Sequence, residues 1–417
     1  MVQKNSEQNN DKSKEIIVIG GGICGTTTAI KLADAGYKVT IIESQKELLE
    51  GTSDKSVHRI SPGFHYLGEI KTSLKFLSAT IEFLKKYPGF TVADTSPDKE
   101  YLKHGKYLLL EESTNKNFIT EQKFLDELEL LKGEYQRLIS AAENNKAFGS
   151  SDELYSFLKD EEYKNILEDN IKVKTGIEGR EYILDWPKFK SYILNQVYSS
   201  KNIKVITEQD VIDAKHDNHK QGYCVKTNNL DHEICAEYVV NSSWENIEYL
   251  DSKLGFNNAP RTNRLKVFIK VKLPDELKSE SSAFLFKGPY GMFVNTGNGE
   301  GLITYAPITN YKDSNELLPP EEFKKCLTNG FEPELKEELG TKIKDGITSY
   351  FPAMQNAVIT DVLCGVVKTK GSNINIADPN SDVHKRHESG VEVKDIGWID
   401  NACMKFFSCE HNSNEVL

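Results

Sequence analysis

The feature that most restricts this chain lies near its start: Ile16-Ile17-Val18-Ile19-Gly20-Gly21-Gly22-Ile23-Cys24-Gly25, then a helical pattern, then Tyr37-Lys38-Val39-Thr40-Ile41-Ile42-Glu43. Four apolar residues in a row read as a strand buried on both faces. Gly20 and Gly22 let the backbone turn tightly and approach a pyrophosphate, and Gly25 lets the next helix lie against the strand. That helix start points unpaired N–H groups at the phosphates. The helix runs through Ala29, Ile30, Leu32 and Ala33 and stops at Gly36. A second buried strand ends at Glu43, where a carboxylate accepts hydrogen bonds from an adenosine's ribose hydroxyls and speaks against a 2′-phosphate. The ordered set predicts a dinucleotide-binding βαβ unit, and by itself it does not separate FAD from NAD.

A chain of 417 residues has room for two domains, and 38% hydrophobic residues support a real core. The net charge of −11 argues against nucleic acid as the main ligand. Seven cysteines, widely spaced and without a CxxC pair, read as reduced thiols in a cytoplasmic protein, with no disulfide framework or zinc site. The polar residues 1–14 read as a disordered tail and not a signal peptide. No stretch approaches the ~20 apolar residues of a transmembrane helix.

Residues 51–68 are dense in Ser, Thr, Gly and His, which suits a ligand-contacting loop. Phe124, Leu125, Leu128, Leu131, Tyr135, Leu138 and Ile139 recur at helical spacing and predict an amphipathic packing helix, with a further helix over 152–169. Short alternating runs follow 203, and from 264 the pattern is of strands at 265–271, 283–286, 291–296 and 302–305. Residues 321–339 read as a charged helical excursion.

A glycine turn at the N-terminus, an acid closing the second strand, and a Thr/Ser-rich loop running into Pro62-Gly63-Phe64-His65-Tyr66 together resemble the D-amino-acid oxidase superfamily. That family includes glycine and sarcosine oxidases and hydroxyglutarate dehydrogenase-like enzymes. The resemblance implies an α/β fold: a Rossmann-like FAD-binding parallel sheet with a second, mainly antiparallel α+β substrate domain. The FAD-binding part would comprise 15–75, 171–262 and 345–417, and the substrate or cap part, with a helical insertion, 76–170 and 263–344. FAD contacts are expected at Gly20, Gly22, Ile23, Cys24, Gly25, Glu43, Ser44, Thr52, Ser53, Arg59, Ile60, Val211, Ser242, Trp244, Gly365, Gly397 and Ile399. The family closes with a glycine-rich loop opening a helix beside the flavin, of which only Gly397 and a following helix remain.

With FAD present, hydride passes from a small amino or 2-hydroxy acid to flavin N5, and the protein must bind a carboxylate and manage a proton. Arg59, Tyr290, Tyr305, Lys368 and Arg386 are candidates for the carboxylate, because charge-assisted hydrogen bonds are the strong ones. His65 and His58 are candidate bases. FAD is expected to bind non-covalently, with a covalent link at Cys403 as the alternative. No metal is expected. The electron acceptor would be oxygen or a quinone. The competing readings are a flavin-binding module without turnover and an NAD-dependent dehydrogenase.

Overall fold

The computed structural model describes residues 14–140, 147–217, 222–378 and 380–417. All but Lys14 of the predicted tail lies outside the described residues.

The predicted βαβ unit forms as strand β1 (Glu15–Ile19), helix α1 (Ile23–Asp34) and strand β2 (Lys38–Ile42). The six-stranded sheet built on it runs Val391–Asp395, Trp398–Asn401, Tyr238–Asn241, β1, β2, Ile203–Ile206, and all but the Val391–Asp395 edge strand are parallel. Strand alternation divides its core. Ile16 and Val18 face α1 and pack with Ala29, Leu32 and Val39, while Ile17 and Ile19 pack with Val211, Tyr223 and Val225 on the other side. Those last residues belong to a small antiparallel meander, Val211–Asp217, Gly222–Thr227 and Ile234–Ala236.

A correction falls on this meander. Cys224 and Cys235 face each other across two of its strands and are joined by a disulfide. Spacing along the chain had suggested free thiols, because a cross-strand pair brought together by a turn leaves no CxxC signature.

The second sheet has nine strands and is mainly antiparallel. The order is Asn310–Ser314, Arg261–Lys272, Glu300–Tyr305, Gly291–Gly297, Ser282–Phe286, His104–Leu110, Val173–Arg180, Tyr155–Phe157. Val358–Lys370 pairs with Arg261–Lys272 along its length. Two stretches expected in the FAD-binding part, Val173–Arg180 and Val358–Lys370, are therefore strands of this sheet. The apolar run of Val358–Lys370 fits a buried strand in either sheet, and Val173–Arg180, with only Val173 and Ile177 as large apolar residues, has no run to read, so pattern alone could not assign them. Helices Glu321–Asn329 and Pro333–Thr348 cover its outer face, where Leu265, Val267 and Ile269 meet Phe323, Ile343 and Ile347.

The amphipathic helix forms as Glu121–Ser140, burying Phe124, Leu128, Leu131, Tyr135 and Ile139. The helix expected over 152–169 does not form. That region holds two short 3-10 turns and the edge strand Tyr155–Phe157, whose pairing with Val173–Arg180 outcompetes its helical propensity. Gly397 (φ +95°) precedes a strand and not a helix, turning the hairpin between Val391–Asp395 and Trp398–Asn401. No helix among the described residues is long and apolar enough to cross a membrane.

Candidate functional site

β1, β2 and Tyr238–Asn241 end together, and a nucleotide cradle forms at their carboxyl edge. Gly20 N donates to Ile42 O (2.8 Å) and Ser242 N to Ile19 O (2.8 Å), locking the strand ends around the turn. Gly20 has φ +96°, and a Cβ there would lie 2.6 Å from Ser242 O. A Cβ on Gly25 would lie 1.9 Å from Gly20 O, so this glycine fixes how closely α1 approaches β1. Gly22 caps α1 with no side-chain hydrogen bond, leaving the helix start open toward the cavity, and Ile23 N donates to Ser53 Oγ (3.0 Å).

Glu43 accepts from Gly21 N (2.6 Å), Gln45 N (2.7 Å) and Ser44 Oγ (3.1 Å). Burial pushes its pKa up, against the opposing pull of the hydrogen bonds from Gln45 and Gly21. The buried Ser242 Oγ has no hydrogen-bond partner among the described residues. An open helix start, a buried acid at the end of β2 and a serine hydroxyl awaiting a partner fit the ADP half of FAD.

From this cradle one cavity of about 680 Å³ runs past Thr52, Ser53, Val211, Trp244 and Gly365 to a chamber under the second sheet. There the Arg261–Lys272 strand turns Arg264, Lys266 and Phe268 toward the cavity, while Leu265, Val267 and Ile269 face the core. Phe284, Phe286 and Met292 come from strands further along the same sheet, and Arg386 and Lys405 from outside that sheet. The Arg386 guanidinium carbon stands 5.7 Å and Lys405 Nζ 5.6 Å from the centre of the Tyr66 ring.

His65 lies among these groups, 4.1 Å from Phe284 between ring centres. Burial lowers its pKa well below the usual 6.5, and Arg59, Lys405, Arg386 and Lys266 lower it further, so the imidazole is neutral. His58 is also neutral, lowered by burial to about 4. It stacks on Trp186 at 4.4 Å and its Nε2 contacts Ser53 O (2.8 Å), a loop-bracing role.

Of the residues named from sequence, Gly20, Gly22, Ile23, Cys24, Glu43, Ser44, Thr52, Ser53, His58, Arg59, His65, Val211, Ser242, Trp244, Tyr290, Gly365, Arg386 and Cys403 line the cavity. The others are placed elsewhere. Lys368 is buried in an ion pair with Glu248 and donates to the carbonyls of Trp244 (3.2 Å) and Glu245 (3.3 Å). Tyr305 turns outward and packs against Gly346 on the Pro333–Thr348 helix. Ile60 pairs with Tyr182 and Ile399 with Val240, both in the core. Gly397 sits in its hairpin and Gly25 behind the turn.

Two lining residues are already committed. Arg59 pairs through Nε with Glu181 (2.9 Å) and donates from Nη2 to Tyr107 OH (3.1 Å), so its charge is compensated within the protein. Tyr290 OH accepts from Ser113 Oγ (3.4 Å). The Cys403 thiol is held protonated, its pKa raised first by a hydrogen bond with Cys24 and then by burial, and it donates to Lys405 O (2.8 Å). A thiol so held is a poor nucleophile for a covalent flavin link.

Sequence reading missed Arg264, Lys266, Lys405, Tyr107 and the pairing role of Glu181. One signal was present: Arg264 and Lys266 interrupt an apolar strand two residues apart, which places both on one face. Nothing local marks Tyr107 or Lys405, whose partners are far away in the chain.

Comparison with known proteins agrees with this arrangement. Over 50 residues, 12% of this chain and 12% of the relative, the sequence is 46% identical to a D-amino acid dehydrogenase 1 of Mesorhizobium japonicum. Over 64 residues, 15% of this chain and 11% of the relative, it is 31% identical to an aerobic glycerol-3-phosphate dehydrogenase of Staphylococcus saprophyticus. These matches span about a tenth of either relative. Solved structures share the fold along nearly all of the chain. An L-alpha-glycerophosphate oxidase of Mycoplasma pneumoniae with FAD bound covers 97% of this chain and 94% of its own at 16% identity and TM-score 0.64. A glycine oxidase of Geobacillus kaustophilus covers the same shares at 13% identity and TM-score 0.64. Residues 15–381 match the sequence family described as DAO, FAD dependent oxidoreductase, and this chain therefore belongs to that family of FAD-using enzymes.

Proposed function

We propose that this chain oxidises a small amino or 2-hydroxy acid. The observation that carries the reading is the continuity of one cavity, from the nucleotide cradle to a chamber walled by cations and aromatic rings. When bound, FAD supplies the hydride acceptor at its N5.

The chain's own residues then have distinct tasks. Arg386 and Lys405, half-buried beside Tyr66, receive the carboxylate in charge-assisted hydrogen bonds. Phe268, Phe284 and Met292 close the apolar side and orient the carbon that loses hydride. Arg59, held by Glu181 and Tyr107, braces the wall. Neutral His65 can take the proton from the amine or hydroxyl. Its affinity for that proton is lowest in the empty chamber and rises once an anion offsets the surrounding cations. Oxygen or a quinone would then reoxidise the enzyme.

The test is anaerobic mixing of the FAD-loaded protein with a panel of amino acids, 2-hydroxy acids and glycerol phosphate. Bleaching of the visible flavin band by one member, and its return on admitting oxygen or a quinone, is the expected result. A protein that keeps its FAD and is bleached by nothing in the panel is a flavin-binding module, and the oxidase reading is then abandoned.

A further inference from the structure

We propose that the substrate carries a second anionic group besides the one adjoining the oxidised carbon, and that Arg264 receives it. This rests on the oxidation reading above and narrows it to dianionic acids.

The argument is one of charge balance in a buried space. Arg264 is 2% exposed. Its Nη1 donates to Asn310 Oδ1 (3.3 Å), while Nε and Nη2 have no hydrogen-bond partner among the described residues. The Arg264 pKa is lowered to about 9, by burial first and then by Arg386, which leaves the guanidinium charged at neutral pH. Two residues on, Lys266 shares the cavity face of the same strand, and burial first, then the like charges of Arg264, Arg386 and Lys405, hold its pKa well below the usual 10.5.

The acids nearby do not balance this. Glu181 is spent on Arg59. Asp313, which faces Arg264 across the strand pair, belongs to an exposed position of the outer strand. The FAD pyrophosphate would lie at the far end, at Gly20, Gly22 and Ser242. Buried charges left without partners are strongly unfavourable, so a chamber of this kind is built for a ligand that brings the missing charge. One carboxylate, received beside Arg386 and Lys405, cannot also satisfy the two free N–H directions of Arg264. A second carboxylate or a phosphate supplies them in bidentate fashion.

The test uses matched pairs on the FAD-loaded protein at low ionic strength. Malonate and inorganic phosphate, against acetate, are titrated by flavin absorbance and by thermal stabilisation. Aspartate and phosphoserine, against alanine and serine, are compared as reductants of the flavin. The expected result is binding of malonate or phosphate at least tenfold tighter than acetate, and a kcat/KM at least tenfold higher for the matching dianion. Which dianion gains more identifies carboxylate or phosphate as the natural second group.

In Arg264→Met the dianion-to-monoanion ratio should fall tenfold or more. Arg264→Lys, which keeps charge but not the fork, should fall between the two. Equal binding of acetate, malonate and phosphate overturns the proposal, as does an unchanged ratio in both variants. If monoanions bleach the flavin as well as dianions do, the oxidation reading stands and this one fails. If nothing bleaches it while malonate or phosphate is still preferred through Arg264, the anion site stands and the oxidation reading fails.

Discussion

Gly22 and Gly25 look alike in the sequence and serve different ends. A methyl group on Gly25 would press on the Gly20 carbonyl, a backbone atom that cannot swing aside, whereas at Gly22 the nearest contact is Ser53 Oγ at 3.3 Å. Gly25→Ala should therefore cost roughly 1–3 kcal/mol of stability, seen as a lowered Tm of the apo-protein. Gly22→Ala should leave that Tm nearly unchanged and weaken FAD binding more than tenfold, measured by flavin fluorescence, because its methyl group projects into the cradle. Both glycines and Glu43 were legible from sequence, since a cradle of local contacts writes itself into adjacent positions. Lys368 was misplaced for the converse reason. A lysine at the end of a buried strand reads the same whether it meets a ligand or Glu248, which lies 120 residues away.

Among secondary-structure elements, the Cys409–Val416 helix packs on α1 and on the Ile70–Lys86 helix, where His411 Nδ1 lies 3.0 Å from Glu82 and Nε2 3.5 Å from Glu415. These carboxylates raise the His411 pKa from 6.5 to about 9. A folded-state value above the unfolded one contributes stability that is complete below pH 6.5 and lost as pH climbs through about 9. Relative to His411→Gln, the native chain should lose about 1 kcal/mol over that range, the modest size reflecting partial exposure of all three groups. Hydrogen exchange of the Cys409–Val416 amides against pH would check it. The meander offers a second test: Cys224→Ala with Cys235→Ala opens a closure of 11 residues and should cost about 2–3 kcal/mol in denaturant unfolding. Elements with a strong period were readable in advance, such as Glu121–Ser140 and the Arg261–Lys272 strand. The 152–169 region was not, because a three-residue edge strand is decided by its partner.

The two sheets are tied by a buried charged group. Glu248, on the helix Ile247–Lys253 beside the parallel sheet, pairs with Lys368 and Arg261 from paired strands of the other sheet. Lys368→Met leaves Glu248 still matched by Arg261, so the expected loss is about 2 kcal/mol, below that of an orphaned buried charge. Thermal unfolding would register it while kcat/KM for the best substrate stays close to the native value. At this scale the division into two sheets was legible, and the membership of Val358–Lys370 was not, because the choice between sheets depends on contacts across about a hundred residues of chain.

The framework that steadies the cradle also has a history in time. Thr28 Oγ1 on α1 reaches Ser413 Oγ (3.0 Å) across a separation of 385 residues, and Asn401 Nδ2 donates to the Thr28 hydroxyl (2.9 Å). At ~5–20 residues per second, a ribosome spends roughly 20–80 s between making one partner and the other. The nucleotide-binding turn is therefore made well before the residues that brace it, and until they arrive the nascent βαβ unit keeps an apolar flank uncovered.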